Sequence, residues 1–444
     1  MEMVLSTCCG MDVHKRQVLA CLLSHGEQGE EIKEVRSFAT TTQGILQMSD
    51  WLMQAGCTQV AMESTGVYWK PIFNLLEGHC EILLVNAQHI KTVPGRKTDT
   101  IDAEWIAQLL RYGLLRGSFI PKSAQRELRD LTRYRRSLVE ERTRILNRLQ
   151  KVLEDTNIKL GNVVSDINGI SARAMLGALV AGETDPHVLA DLAKGSLRKK
   201  REQLAVALTG TVRPQHQFIL GEYLAHLDFL EEGLERVNHE IIQRLEPDWQ
   251  TVALLTTIPG VSQRTAHIIL AELGRDLTRF PSADHLASWT GLCPGNHESA
   301  GKRYSGKTRA GNPYLRQGLI EAAHAVSRTK GNYLVAQFRR LSQRRGKKRA
   351  LVALAHSLLK IIYYILKRNQ PYQDLGPDYF DRLEKNKIER RLVKRLQDLG
   401  YQVTLTDRLI QEIFRGESLP TGRHRDQRST CHPTSITGLH TQSP

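Results

Sequence analysis

The chain has 444 residues, 41% of them hydrophobic and 25% charged, which excludes wholesale disorder and supplies apolar material for two or three cores. Its formal net charge of +15 is unevenly placed: residues 1–118 carry 10 Lys and Arg against 13 Asp and Glu, so the basic excess lies beyond them and points to a polyanion-binding body. No stretch approaches the roughly 20 consecutive apolar residues of a membrane span, Met1 to Gly10 lack the make-up of an export signal, and seven scattered cysteines without CxxC spacing indicate neither a disulfide framework nor a zinc site. The expectation is a cytoplasmic protein with reduced thiols and no membrane partner.

Cys8 to Val13 and Val18 to Leu23 are predicted to form a hairpin bent at His14, Lys15 and Arg16, with a third strand over Glu34 to Thr40. A helix follows over Thr42 to Ala55, then a short buried strand ending at Glu63, a helix from Tyr68, a strand over Glu81 to Val85 and a helix over Asp99 to Tyr112. An opening meander followed by alternating helices and strands predicts an α/β domain over residues 1–118. From Ser123 to Thr156 the apolar residues Leu128, Leu131, Leu138, Ile145 and Leu149 recur at heptad-like spacing among many arginines, and Gln217 to Leu245 repeats the pattern. Residues 119–246 are therefore read as an antiparallel helical pair with an unassigned polar segment between them. A further unit spans 247–333, a basic helical extension 334–415 is broken by the run Arg339 to Arg349, and Leu383 to Phe414 reads as a final helical pair. The tail 416–444 has the composition of a disordered segment.

Four carboxylates of the front domain fall where chemistry would want them. Asp12 lies in the first strand, Glu63 ends a later one, and Asp99 and Asp102 begin the last helix, where three-residue spacing puts both on one face. In an RNase H-like sheet the first strand is central and the fourth lies beside it, so Asp12 and Glu63 would face each other across neighbouring strand ends. Converged, the four make an all-oxygen site for one or two Mg²⁺ ions, suited to phosphodiester cleavage. Helix capping also accounts for Asp99 and Asp102, and a turn for Glu63, but an acid amid Cys8, Cys9, Met11 and Val13 is costly to bury unless paired or metal-bound.

The stretch Ile258-Pro259-Gly260-Val261 before an apolar helix has the form of a helix-hairpin-helix, whose backbone amides meet phosphates; an ordinary capped turn would read alike. The loop from Leu292 to Arg316 places Ser299 among small residues, with Lys302, Arg303, Lys307, Arg309 and Arg316 close behind. A phosphate-attacking hydroxyl needs that room and those cations, although a basic loop that only grips phosphate has the same composition. Walker spacing is absent. The arginines of residues 129–148 and 339–349 suit an RNA or DNA backbone, or a solvated face.

Gly10-Met11-Asp12-Val13-His14-Lys15, Met62-Glu63-Ser64-Thr65-Gly66-Val67-Tyr68-Trp69, Val85-Asn86-Ala87 and Lys97-Thr98-Asp99-Thr100-Ile101-Asp102-Ala103 resemble, in order and spacing, the N-terminal domain of the IS-one-ten family of insertion-sequence transposases. Ile258-Pro259-Gly260-Val261, Gly291-Leu292, Glu298-Ser299-Ala300-Gly301-Lys302 and Gly311-Asn312-Pro313-Tyr314-Leu315-Arg316 resemble that family's C-terminal transposase domain. The resemblance implies a RuvC-like domain whose tetrad Asp12, Glu63, Asp99 and Asp102 binds Mg²⁺, and a nucleophile at Ser299 that becomes covalently linked to cleaved DNA. It also implies a bridge RNA pairing with element-end and target DNA, dimers or tetramers with shared active sites, and dimerisation through the two long helices. Ser305 stands in a similar setting, but Ser299 fits the family position. Alternatives are a metal-dependent junction nuclease without a covalent intermediate and a non-catalytic nucleic-acid-binding protein.

Overall fold

The computed structural model describes residues 4–26, 30–64, 66–86, 99–295 and 297–405. The chain divides into two compact units, Met1–Leu375 and Gly376–Pro444.

The first unit opens with strands β1 (Cys8–Val13), β2 (Gln17–His25) and β3 (Glu31–Ala39), helix α1 (Thr42–Gln54), strand β4 (Gln59–Glu63), helix α2 (Trp69–Leu76), strand β5 (Glu81–Val85) and helix α3 (Asp99–Arg111). The five strands form one sheet in the order β3-β2-β1-β4-β5. β1 pairs antiparallel with β2 and parallel with β4. The first strand is central with the fourth beside it, an order compatible with the RNase H-like sheet expected from the sequence.

Every residue of β1 is buried, because both faces of the sheet are covered. Cys9, Met11, Val13, Val60 and Met62 pack with Ile45, Met48, Leu52 and Ile72 of α1 and α2. Cys8 and Ala61 pack with Ala103, Ile106, Ala107 and Leu110 of α3 on the other face. Gly10 permits that second contact: a Cβ there would lie 2.3 Å from Ala103 O and Ala107 N, so only glycine lets α3 cross β1 this closely.

Helix α4 (Ser123–Asp155) and, after three short helices α5 (Ile170–Val180), α6 (Pro186–Asp191) and α7 (Arg201–Leu208), helix α8 (Pro214–Arg244) are the two long helices foreseen in the sequence. They run antiparallel: Glu127 pairs with Arg244, Arg142 with Glu231 and Asp155 with His216. Leu138, Ile145, Leu149 and Leu153 meet Leu220, Leu227 and Leu230 in a core completed by α5 to α7. This seam is closed within one chain.

Helices α9 (Trp249–Thr256), α10 (Gln263–Leu273), α11 (Ala283–Thr290), α12 (Pro313–Ser327), α13 (Tyr333–Arg345) and α14 (Lys347–Arg368) share a third core, running from Val252 to Ile365. The boundary expected at residue 333 falls inside it. The break expected within the run from Arg339 to Arg349 falls at Gly346, at φ 77°, which separates α13 from α14. Helix α14 also corrects the expectation that no segment could cross a membrane: by length and composition alone it could. His356, Ser357 and Lys360 punctuate its apolar run, and Leu351, Leu354, Leu358 and Ile362 are buried in the core.

The second unit contains α15 (Tyr379–Leu383) and α16 (Lys385–Asp398) among its described residues. Of the pair expected over Leu383 to Phe414, the first helix corresponds to α16, and residues 406–414 lie outside the described residues. The tail 416–444 lies outside the described residues.

Candidate active site

The parallel register pairs Gly10 with Ala61 and Met11 with Met62, and Asp12 and Glu63 are the residues that follow this last pair on the two strands. Strand alternation places Asp12 on the face of Cys8 and Gly10, and Glu63 on that of Ala61, which is the face covered by α3. That helix runs antiparallel to β1: the amides of Val4 and Leu5 donate to Arg111 O at its end, whereas Gly10 lies beneath Ala103 and Ala107. Its first turn, bearing Asp99 and Asp102, therefore lies toward the end of β1 that carries Asp12.

Asp12 is 6% exposed, and its Oδ2 lies 3.0 Å from His14 Nε2. Asp102 is half-buried. For Asp99, Ser299 and Arg303 the description extends to the backbone; their side chains lie outside it. Among the described residues no group of three or more His, Cys, Asp or Glu side chains is gathered closely enough to hold a metal ion. The acids would nevertheless suit Mg²⁺, since carboxylate oxygens are its usual protein ligands.

The serine segment, expected as a loop, is a hairpin of β6 (His297–Ser299) and β7 (Lys302–Ser305), with Ser299 opposite Lys302. Ala300 at φ 49° and Gly301 at φ 73° form its two-residue turn, and positive φ at both positions is the requirement of a type I′ hairpin. Lys302 and Lys307 are exposed. Ser305 Oγ accepts from the Lys307 amide at 3.1 Å, giving that second serine a turn-forming role.

The hairpin base is strapped down by small residues and one arginine. A Cβ on Gly295 would lie 2.2 Å from Lys307 O, and one on Gly311 would lie 2.3 Å from Gly291 N. Arg316 donates through Nη1 to Gly291 O at 2.5 Å and through Nη2 to Thr308 Oγ1 at 2.8 Å. Read from sequence as a nucleic-acid ligand, Arg316 is here a strut of the loop. Asn312 caps α12, accepting from the amides of Tyr314 and Leu315 at 3.0 Å each.

Asn312 Nδ2 also donates to Glu272 Oε2 at 2.7 Å. Glu272 is 0% exposed and receives both prongs of Arg133 at 2.9 Å, with Arg129 Nε 3.3 Å away. Arg133 lies over the ring of Tyr314, 4.2 Å from its centroid. Burial lowers the Arg129 pKa to about 10, opposed by the Glu272 charge, which leaves the guanidinium protonated at neutral pH. Glu272 thus joins α4, α10 and the start of α12. The arginines of α4 are largely internal: Arg135 is buried, Arg136 pairs with Glu140 and Arg142 with Glu231, while Arg144 and Arg148 are exposed.

At the Pro259-Gly260 turn, Gly260 has φ 80°, and a Cβ there would lie 2.6 Å from Val326 Cγ2 and 2.7 Å from Ala322 O. The glycine serves packing against α12. Ser262, which caps α10 by accepting from Thr265 N at 3.3 Å, is exposed with Gln263 and Arg264; these, more than the turn itself, face solvent.

The pairing of His14 with Asp12, the capping role of Asn312 and the buried Glu272 escaped the sequence reading. Two-residue spacing along a strand would have linked His14 to Asp12. An acid in the apolar run from Ala266 to Leu273 carried the same burial signal as Asp12, and Asn before Pro is a helix-start signal.

Comparison with known proteins places two family matches on this frame. A family described as "Transposase" matches residues 9–158, and the "Transposase IS116/IS110/IS902 family" matches residues 252–339. The transposase for insertion sequence element IS1111A of Coxiella burnetii is 28% identical over 328 residues, covering 72% of this chain and 80% of that protein. The pilin gene-inverting protein of Moraxella bovis is 24% identical over 388 residues, 82% of this chain and 96% of its own length. The transposase for insertion sequence element IS1328 of Yersinia enterocolitica is 25% identical over 281 residues, 63% of this chain and 73% of that relative.

Proposed function

With both transposase domains of the IS110 family, the chain is a transposase/recombinase of that family, and we propose that it cleaves and rejoins DNA through a covalent link at Ser299. The Ser299 hydroxyl oxygen attacks a backbone phosphorus; a serine–phosphate bond forms, a bridging P–O bond breaks, and the serine proton passes to solvent while the leaving strand's oxygen is protonated. Attack by that strand's hydroxyl, or another's, reverses these changes and rejoins DNA. Lys302, opposite Ser299 in the hairpin, offsets the charge that builds on phosphorus.

Asp12, Glu63, Asp99 and Asp102 would hold Mg²⁺, which supplies stabilisation of charge on the scissile oxygens. What supports the metal reading is that Asp12 and Glu63 directly follow the last paired residues, Met11 and Met62, of neighbouring strands, on the sheet face packed by the helix that begins with Asp99 and Asp102. Pro259, Gly260 and the start of α10 are assigned to the DNA backbone, with Arg303 beside the nucleophile. A bridge RNA would supply sequence choice by base pairing, and a homodimer or tetramer would assemble the shared sites.

The test incubates the protein with Mg²⁺, element-end and target DNA and RNA from the flanking non-coding region, then resolves covalent protein–DNA adducts on a denaturing gel. The expected adduct disappears with Ser299→Ala and with Asp12→Asn, and requires the RNA. Cleavage without an adduct would instead identify a metal-dependent nuclease; an adduct persisting in Ser299→Ala would refute the serine assignment.

A further inference from the structure

Where β7 ends, residues Ser305 to Thr308 form one wall of a cavity whose opposite wall is the junction of α13 and α14. Lys307, Arg345, Lys348 and Arg349 all line it, together with the apolar Leu292, Leu341 and Val352. All four cations are exposed. Among the described residues none that lines the cavity is acidic, and the first turn of α14 contains no acid.

The contrast with five arginines elsewhere in the unit is informative. Arg126, Arg129, Arg133, Arg142 and Arg244 are paired with carboxylates, whereas among the described residues none of these four cations has an acidic partner within salt-bridge range. Converging unpaired cations repel one another, and a polyanion relieves that repulsion. Among the described residues the polar groups lining the cavity are cations, hydroxyls and backbone, which grip phosphates without regard to sequence.

Its position selects the ligand. Lys302 is the residue opposite Ser299, and Ser305 lies three residues farther along the strand, roughly 10 Å at the rise of a β-strand. That is about three nucleotides of one DNA strand.

We propose that the groove between Ser305–Thr308 and the α13–α14 junction binds the DNA backbone, through Lys307, Arg345, Lys348 and Arg349, about three nucleotides from the serine. The placement beside a reacting phosphate rests on the Ser299 reading; the binding of DNA by the groove does not. The extension after residue 333 thereby becomes one jaw of a DNA clamp.

The experiment measures fluorescence anisotropy of a labelled DNA oligonucleotide with the full chain between 50 and 300 mM salt, for the wild type, R345Q/K348Q/R349Q and the charge-matched control K194Q/R198Q/K199Q, each checked for an unchanged melting temperature. The groove variant is expected to bind ~10-fold or more weakly, with a salt slope shallower by about 2 to 3, while the control follows the wild type. In a second measurement independent of substitution, DNA should protect Lys307 and Lys348 of the wild type from acetylation. Equal losses in both variants, or unprotected lysines, would overturn the proposal; so would a loss confined to an RNA oligonucleotide of the same sequence. Adduct formation is scored separately: a wild type that binds through the groove but forms no adduct refutes the serine reading and leaves the groove standing.

Discussion

Replacing Glu272 with glutamine leaves Arg133 and Arg129 facing a neutral amide in a buried site. Removing one partner of such a cluster is costly because the remaining charge stays desolvated. Glu272→Gln is expected to destabilise the protein by about 3 kcal/mol, read as a lower urea midpoint at unchanged slope. An unchanged midpoint would show that the buried ion cluster contributes nothing to stability.

A second residue-scale prediction concerns His267, 6% exposed on α10. Burial, with a smaller contribution from the Arg135 charge, lowers its pKa from 6.5 to about 4. The folded protein thus keeps the imidazole neutral where the unfolded chain binds a proton, and stability from this group is full above pH 6.5 and lost as pH falls toward 4. His267→Gln should flatten the decline of melting temperature between pH 7 and 4.5; an equally steep decline would assign acid sensitivity to other groups.

Among the elements, the crossing of α3 over β1 depends on Gly10, and the serine hairpin on Ala300. Gly10→Ala would drive a methyl group into the α3 backbone, at an expected cost of about 2–3 kcal/mol, and would shift the first turn bearing Asp99 and Asp102. A drop in thermal stability should accompany loss of Mg²⁺-dependent cleavage; retention of both would contradict the close packing. Ala300, at φ 49° without being glycine, carries a backbone penalty of about 1 kcal/mol. Ala300→Gly should therefore slow amide exchange across the β6–β7 hairpin, and faster exchange would count against a type I′ turn.

The element boundaries of the front sheet were legible because apolar alternation and caps are local signals. The hairpin was not: the segment from Pro294 to Ser305 lacks apolar alternation, and its base is held by Gly291, Gly295 and Gly311, whose close contacts are with residues 12 to 21 positions away. The break expected within the run from Arg339 to Arg349 is confined to the single residue Gly346, with Leu334, Val335 and Ala350 buried on either side.

At the scale of the molecule, the third core joins α9 to α12 with α13 and α14. A chain ended at residue 333 should lose the apolar face supplied by Leu354, Leu358 and Ile362 and aggregate, whereas one ended at Leu375 retains the whole first compact unit. The shorter chain is expected to be insoluble on expression, and the longer to melt cooperatively within a few degrees of the full protein; a soluble, cooperatively folded 1–333 would show that the extension is dispensable to that core.

The sequence by itself determined the order of strands and helices, the two long helices, and the carboxylates and serine as candidates, because periodicity and residue chemistry are properties of neighbours along the chain. Strand register, which set Asp12 and Glu63 directly after the last paired residues of neighbouring strands, and helix direction, which brought the start of α3 toward that end of the sheet, were decided by tertiary structure. So was the division of the arginines: those near Glu272 became internal struts, while Arg345, Lys348 and Arg349 stayed unpaired around a groove. A guanidinium's role depends on whether a carboxylate reaches it through space, and that distance is fixed by packing between segments far apart in sequence.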